Sequence, residues 1–327
     1  MQMYWVDGHV DLAYIALGGR DILKHCTDPE AACISIPDLT QSNIRTIAGT
    51  IYTSPGHSVL GYPSSEDRDA AFEQGKKQLD YYSTLHQQGH IHLPNSPQKD
   101  SPNDKLLNVI LLMEGADPIR SVDEVAWWYR EGLRIVGLTW SKGTRYAGGN
   151  DCLHGLSGEG KELVSELDSH NILHDASHLS EQAFEDLVSH TDQTIIASHS
   201  NSRTILQSDS QRNLLDAQAK EIFRRGGVIG LNLCTMFLSK TFSVKQETAT
   251  IDDCIEHILH LCDLAGNRMQ IALGSDFDGG FTPKHLPVDL KHPSALPLLL
   301  HRLQDVGFTE PELHSFAHGA WERVYPS

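Results

Sequence analysis

Eight short apolar segments recur along the chain, and segments of helical character separate most of them. Each apolar segment is too short for a typical helix and is rich in β-branched and large aliphatic residues, so it predicts a β-strand. The predicted strands cover residues 3–7, 44–52, 108–113, 133–138, 172–175, 194–198, 227–231 and 270–274. Helices are predicted at 65–88, 121–131, 160–169, 180–188, 211–224, 251–265, 294–304 and 310–317, with a short one from Pro37 and a polar loop at 94–105.

Eight β/α units in 327 residues predict an α/β protein, a (β/α)8 TIM-like barrel that forms one domain over residues 1–327. The main alternative is a doubly wound open sheet. That fold would favour a G-x-G-x-x-G turn after the first strand, and Gly18-Gly19 comes too late and lacks the spacing. In a (β/α)8 barrel the reaction site lies at the carboxyl ends of the strands, so catalytic and metal-ligand residues are expected there.

Charge and cysteine usage exclude some functional classes. The net charge of −17 argues against a nucleic-acid partner and disfavours anionic membranes. We see neither a secretory signal nor an apolar run of the roughly 18–20 residues that a membrane span needs. The six cysteines form no C-x-x-C, which is typical of reduced thiols in a cytoplasmic protein, although a precursor that has lost its leader is the alternative. A homodimer is compatible with the sequence.

The stretch Asp7-Gly8-His9-Val10-Asp11 follows the first predicted strand. His9 and Asp11 are two residues apart, so in extended chain their side chains project to the same side. An imidazole beside a carboxylate suits a divalent metal of the zinc type. A turn with a capping aspartate explains the same residues equally well when they are taken alone.

Ligand-type residues also stand at the ends of four other predicted strands, and this pattern favours a metal site. A single zinc normally takes three protein groups and a water, which is fewer ligands than the sequence offers. Two metals about 3.5–4 Å apart, bridged by a carboxylate and a water, would use more of these ligand-type residues. Glu114 lies on a strand between the other groups and is the natural bridge. The full set is His9, Asp11, Glu114, His178, His199 and Asp276.

The ligand-type residues stand in five longer motifs. These are Asp7-Gly8-His9-Val10-Asp11, Met113-Glu114-Gly115, Asp175-Ala176-Ser177-His178-Leu179-Ser180, Ser198-His199-Ser200-Asn201 and Gly274-Ser275-Asp276-Phe277-Asp278-Gly279. Together they resemble the membrane dipeptidase (renal dipeptidase) family, peptidase family M19 of the amidohydrolase superfamily, and the match runs in the family's order between residue 6 and about residue 324. The resemblance implies a binuclear zinc (β/α)8 barrel of the metal-dependent hydrolase type that hydrolyses dipeptides, often with a D-residue at the carboxyl side.

The same resemblance implies a role for each residue. His9 and Asp11 would hold one Zn²⁺, His178 and His199 the other, and Glu114 would bridge the two ions together with a water or hydroxide. Asp276 would be the catalytic residue that handles the proton of that water. Arg212-Asn213 matches the family's Arg-Asn pair, in which the arginine resembles a clamp for the substrate's carboxylate. Arg203, four residues past His199, is the rival clamp.

One position departs from the family pattern. After Gly137-Leu138-Thr139 many relatives carry a histidine that faces the scissile carbonyl, and this chain has Trp140. If that histidine helps to stabilise the oxyanion, this chain must rely on the metal alone or on a neighbour such as Arg145 or Tyr146. Trp140 would instead line a substrate pocket. We therefore keep an N-acyl amino acid deacylase or lactonase on the same metals as the alternative to a dipeptidase. A metal-binding barrel without catalysis is the third hypothesis.

For three other titratable residues we predict neither a catalytic nor a direct metal-binding role. His257 and His260 share a helix face and are expected to form a surface pair. Asp278 is expected to orient a neighbouring ligand or to shape its own turn before Gly279-Gly280.

Overall fold

A computed structural model of the protein describes residues 3–57, 59–95, 106–239 and 248–325. All eight predicted strands are present in it. Apart from its first two residues, the polar loop predicted at 94–105 lies outside the described ranges. The strands are β1 (Trp5–Val10), β2 (Ile44–Tyr52), β3 (Leu107–Glu114), β4 (Leu133–Gly137), β5 (Leu173–Asp175), β6 (Ile195–Ile196), β7 (Ile229–Leu231) and β8 (Ile271–Leu273).

The strands hydrogen-bond in the order β7-β8-β1-β2-β3-β4-β5-β6. An isolated parallel bridge pairs Ala197, directly after β6, with Ile229 of β7. Consecutive strands are therefore neighbours throughout, and the order never reverses as it does in a doubly wound sheet. This is the strand order of a (β/α)8 barrel, so the predicted fold class is confirmed. A short strand, Ile91–His92, also pairs with β3, and Ser54–Pro55 pairs with Gly61–Tyr62.

The helices begin where side chains can satisfy their first N–H groups. Ser157 and Ser180 each accept a hydrogen bond from a first-turn N–H, and Thr250 forms a capping box with Asp253. The α-helices cover Leu12–Leu17, Ile36–Gln41, Arg68–Gln87, Val125–Arg130, Gly158–Ser169, Glu181–His190, Arg203–Leu206, Asp216–Arg224, Thr235–Leu238, Ile251–Ala265, Leu296–Asp305, Glu310–His314 and Ala320–Val324. Three 3-10 turns cover Val122–Glu124, Pro283–His285 and Pro293–Ala295, and a π-helical turn covers Ser315–Gly319.

Several sequence predictions were wrong in detail. Strand β1 runs on to Val10 instead of ending at residue 7, and Asp7 within it pairs with Leu273 of β8. The helix predicted at 121–131 starts as the 3-10 turn Val122–Glu124 and is α-helical only over Val125–Arg130, and the helix predicted from residue 211 begins only at Asp216. His257, expected at the surface, is fully buried: Ser202 N–H donates to its Nδ1 at 3.1 Å, and its Nε2 lies 2.9 Å from the Leu238 carbonyl oxygen. Buried hydrogen bonding of this kind does not show in helical periodicity.

The chain forms two compact units. The first unit comprises residues 1–11, 21–47 and 197–324, and the second comprises 12–20, 48–196 and 325–327. In the first unit Trp321 is fully buried and its indole N–H donates to the Leu273 carbonyl at 2.7 Å. In the second unit the buried Tyr82 donates to the Thr50 carbonyl at 3.1 Å. Among the described residues, every helix is too short or too polar to cross a bilayer.

Candidate metal centre

The first unit gathers three buried ligand-type side chains, those of His9, Asp11 and Asp276. One donor atom from each lies within 4.8 Å of the donor atoms of the other two. His9 Nε2 is 3.7 Å from Asp11 Oδ1. The ring of His199 stacks on that of His9, with centroids 3.6 Å apart. Four of the six predicted ligand-type residues therefore meet within this unit.

Four of the site residues occupy the same place relative to a strand. Trp140, His178, His199 and Asp276 are each the third residue after their strand, β4, β5, β6 and β8 respectively. His178 and Asp276 have positive φ angles of 67° and 60°. A non-glycine residue in this region costs about 1–3 kcal/mol, and such strain is concentrated at functional sites. The backbone thus turns sharply to present these side chains.

Asp7 anchors both ends of the first ligand set. Its carboxylate accepts hydrogen bonds from Ser275 N–H at 2.8 Å and Ser275 Oγ–H at 2.5 Å, and from His9 N–H at 3.3 Å. Burial raises the pKa of Asp7 to about 6, although the Ser275 bonds pull it down. The neighbouring Gly8 is required for space, since a Cβ there would lie 2.7 Å from the Ser198 carbonyl oxygen and 2.4 Å from the ring of Trp321.

The two buried carboxylates of this set favour the binding of a cation. Burial, and then the Asp11 carboxylate, raise the pKa of Asp276 well above its usual value. Burial, followed by the Arg212 charge, lowers the pKa of His9 to about 3, so the ring is neutral and can act as a ligand. Two carboxylates and neutral imidazole nitrogens are donors of the kind that zinc takes, so these residues fit a divalent metal.

Asn232 is a site residue that the sequence reading missed. Its Nδ2 donates to Asp276 Oδ2 at 2.9 Å, a hydrogen bond that uses one of the two carboxylate oxygens of Asp276. Its own backbone N–H donates to Asn201 Oδ1 at 3.0 Å. Asn232 directly follows β7, so the rule that polar residues at strand ends matter could have found it.

Asp278 has a role that neither sequence expectation included. Its carboxylate accepts hydrogen bonds from the N–H groups of Cys33 and Ile34 at 3.0 and 3.1 Å. It also has a positive φ of 56°. Asp278 therefore ties the segment before the helix Ile36–Gln41 to the turn that carries Asp276.

The two candidate clamps differ in their surroundings. Arg212 is buried, and its guanidinium donates to Ser200 Oγ at 3.0 Å and to the His199 carbonyl at 2.8 Å. It also stacks over the Phe237 ring at 4.9 Å. Arg203 donates from Nε to the Asn213 carbonyl at 3.0 Å. Arg212 contacts the backbone of His199, a ligand-type residue.

The second unit holds the remaining pair of ligand-type residues. Glu114, the last residue of β3, has its Oε1 3.2 Å from His178 Nε2. The other ring nitrogen of His178, Nδ1, lies 2.8 Å from Asn150 Oδ1. Asn150 is a second residue that the sequence reading missed, and it lies in the Gly-rich loop after β4.

Aromatic rings border this pair. Trp140 lies 6.0 Å from His178 between ring centroids, and it packs edge-on against Tyr52 at 5.4 Å and His57 at 6.1 Å. Tyr14 completes the group, 5.5 Å from Tyr52. We name these four rings, Tyr14, Tyr52, His57 and Trp140, the aromatic wall. Edge-to-face packing of this kind gives a rigid apolar surface.

Tyr146 and Arg145 are bound to the segment that follows β3. Tyr146 is fully buried, and its hydroxyl donates to the Ile119 carbonyl. Arg145 forms an ion pair with Asp117 at 3.3 Å and donates to the Tyr146 hydroxyl at 2.9 Å. These partners hold both side chains in fixed positions beneath the loop.

Comparison with known proteins assigns the fold and the family. A metallopeptidase from Rhodobacter sphaeroides, solved with a phosphinate mimic of L-Ala-D-Ala, superimposes with a TM-score of 0.83 over 99% of both chains at 23% identity. The probable dipeptidase PvdM from Pseudomonas aeruginosa gives a TM-score of 0.83 over 99% of this chain and 94% of its own at 16% identity. These likenesses support the fold.

Sequence relatives point the same way. A protein of uncharacterised function from Klebsiella pneumoniae is 29% identical over 230 residues, which are 68% of this chain and 82% of that protein. An uncharacterised dipeptidase from Schizosaccharomyces pombe is 30% identical over 61% of this chain and 49% of its own length. The model of the membrane dipeptidase family matches residues 1–327. This chain therefore belongs to the membrane dipeptidase family, peptidase family M19.

Proposed function

We propose that the protein is a binuclear zinc dipeptidase that hydrolyses L-Xaa-L-Xaa or L-Xaa-D-Xaa dipeptides. The observation that carries the proposal is the buried set of His9, Asp11 and Asp276, in which two carboxylates lie close enough to share one cation. Family membership supports the rest of the assignment. In this proposal His9 and Asp11 would hold one zinc, His178 and His199 would hold the other, and Glu114 would contribute a carboxylate to both.

The metals would supply the chemistry that water lacks at neutral pH. Bound zinc would polarise the amide carbonyl and would lower the pKa of a coordinated water toward about 7. Asp276 would accept the proton of the attacking water and would return it to the leaving amine. The hydrogen bond from Asn232 to one oxygen of Asp276 keeps the other oxygen available for the transfer.

In this proposal one arginine side chain and one apolar surface recognise the substrate. Arg212 binds the terminal carboxylate, since a guanidinium can engage a carboxylate with two parallel hydrogen bonds. Arg203 is the alternative for that role. Trp140 contacts a substrate side chain, and Tyr146, from the same loop, is a further substrate-binding residue in this proposal. We further propose that residues 1–327 act as one catalytic domain in the cytoplasm, where six cysteine thiols would persist.

The test combines metal analysis with a substrate panel. Zinc-loaded protein is expected to hold two ions per chain and to hydrolyse members of a dipeptide library that varies both side chains and the stereochemistry at the carboxyl side. N-acyl amino acids and lactones are assayed in parallel, and faster turnover of these would transfer the assignment to the alternative hydrolase. Absence of hydrolysis across all three substrate classes would refute an enzymatic role.

A further inference from the structure

The hydrogen bonds of Asn150 select one tautomer of the neutral His178 ring, the form in which a histidine binds a metal. Asn150 Nδ2 donates to Asp151 Oδ1 at 2.8 Å, because a carboxylate can only accept. The orientation of the amide is thereby set, and its Oδ1 must face His178. That oxygen is an acceptor 2.8 Å from Nδ1, so Nδ1 carries the proton of the neutral ring.

The consequence appears on the opposite side of the ring. With the proton on Nδ1, the lone pair of His178 lies on Nε2. That nitrogen is 3.2 Å from the Glu114 carboxylate. A lone pair and a carboxylate oxygen that face each other are two donors for one cation.

The loop that carries Asn150 is fastened to the segment that follows His178. Gly149 forms an antiparallel bridge with Leu179, and Ser180 N–H donates to the Gly148 carbonyl at 2.9 Å. A Cβ on Gly149 would lie 2.0 Å from the Trp140 carbonyl oxygen, so only glycine allows the loop to come this close. Asn150 is thus held at a defined distance from the imidazole.

We infer that Asn150, backed by Asp151, is a positioning residue that presents His178 Nε2 to the second metal ion. This inference rests on the proposed function, since it requires that His178 be a ligand. Outer partners of metal-binding histidines fix the tautomer and ring orientation, and their loss typically costs 10–100-fold in metal affinity. An asparagine in this place provides the acceptor without adding charge to the site.

The test titrates zinc into chelator-treated protein against a chromophoric competitor. We expect Asn150→Ala to weaken one of the two binding events by about 10–100-fold and to leave the other unchanged. Asn150→Asp keeps an acceptor and should bind both ions within a few-fold of wild type. Leu153→Ala is the matched control, because Leu153 lies in the same loop with 88% of its surface exposed.

Two further readouts separate positioning from a merely structural role. The visible absorption of the Co²⁺-substituted protein should change in Asn150→Ala, while the unfolding free energy of the metal-free protein should stay close to wild type. Wild-type affinity for both ions in Asn150→Ala would overturn the inference. If Asn150→Ala does not fold, Asn150→Asp decides, and loss of tight binding in that variant would also overturn it. A wild-type protein that binds no zinc would instead refute the proposed function.

Discussion

The ligand-type residues of the two units are held in different ways. In the first unit Asp11 and Asp276 are buried together and are fixed by other polar groups, including Asp7 and Asn232. In the second unit Glu114 and His178 adjoin the aromatic wall. The first set concentrates negative charge, whereas the second offers an apolar surface. We therefore assign proton transfer to the first unit and side-chain recognition to the second.

The anchoring contacts of the two units also differ in how far apart their partners lie in the sequence. Asp7 lies two residues before His9 and reaches Ser275, the neighbour of Asp276. Asn150 instead comes from a loop 28 residues before His178. A short motif can encode the first kind of anchor, but the second depends on how a long loop folds.

The largest effect should come from the first set. Asp276→Asn removes the proton acceptor and keeps the shape, so kcat should fall by about 10²–10⁴, the usual contribution of a general acid–base group. The measurement is steady-state hydrolysis of the best dipeptide by zinc-loaded protein. Asp209→Asn, at an exposed position, is the control. An unchanged kcat in Asp276→Asn would remove this residue from the proton transfer.

A smaller loss is expected at the clamp. Arg212→Lys keeps the charge but cannot make the paired hydrogen bonds, which are worth about 1.5–3 kcal/mol to a charged partner. The value of kcat/KM should therefore fall by about 10–100-fold, mainly through KM. Arg203→Lys is the matched control. If Arg203→Lys shows the larger loss, the two arginines exchange roles.

Most of the fold could be predicted from the sequence, because each strand is a local apolar run. The eight strands and the positions of His178, His199 and Asp276 after them follow from that pattern. The contacts of Asn150 and Asp278 could not be predicted, since they depend on loops without periodicity. The burial of His257 could likewise not be predicted, because its partners, Ser202 and Leu238, are distant in sequence.

The anchor at Asp278 is expected to matter for stability more than for catalysis. Asp278→Ala leaves the buried N–H groups of Cys33 and Ile34 without this acceptor, which should lower the free energy of unfolding by about 1–3 kcal/mol. Urea denaturation measures the change. Asp209→Ala, at an exposed position, should stay within about 0.5 kcal/mol of wild type. Equal stability of Asp278→Ala and wild type would show that the segment at 33–34 needs no such anchor.

The smallest effect should be one of selectivity, at the aromatic wall. An aromatic contact is worth about 0.5–1.5 kcal/mol beyond the area it buries, which corresponds to about 2- to 12-fold in kcat/KM. Trp140→Ala should therefore reduce hydrolysis of dipeptides with aromatic side chains by this factor relative to glycine-containing ones. Both rates are measured on the same zinc-loaded preparation, so a change in metal content cancels in the ratio.

Trp127→Ala is the matched control for that ratio. Trp127 packs against Phe72 and Trp128 in another aromatic group, so its loss can affect stability without touching the wall. A selectivity shift confined to Trp140→Ala would separate recognition by the second unit from the charge-based chemistry of the first. Equal losses for aromatic and glycine dipeptides would mean that Trp140 acts on the neighbouring His178. Side-chain recognition could then not be assigned to the aromatic wall of the second unit.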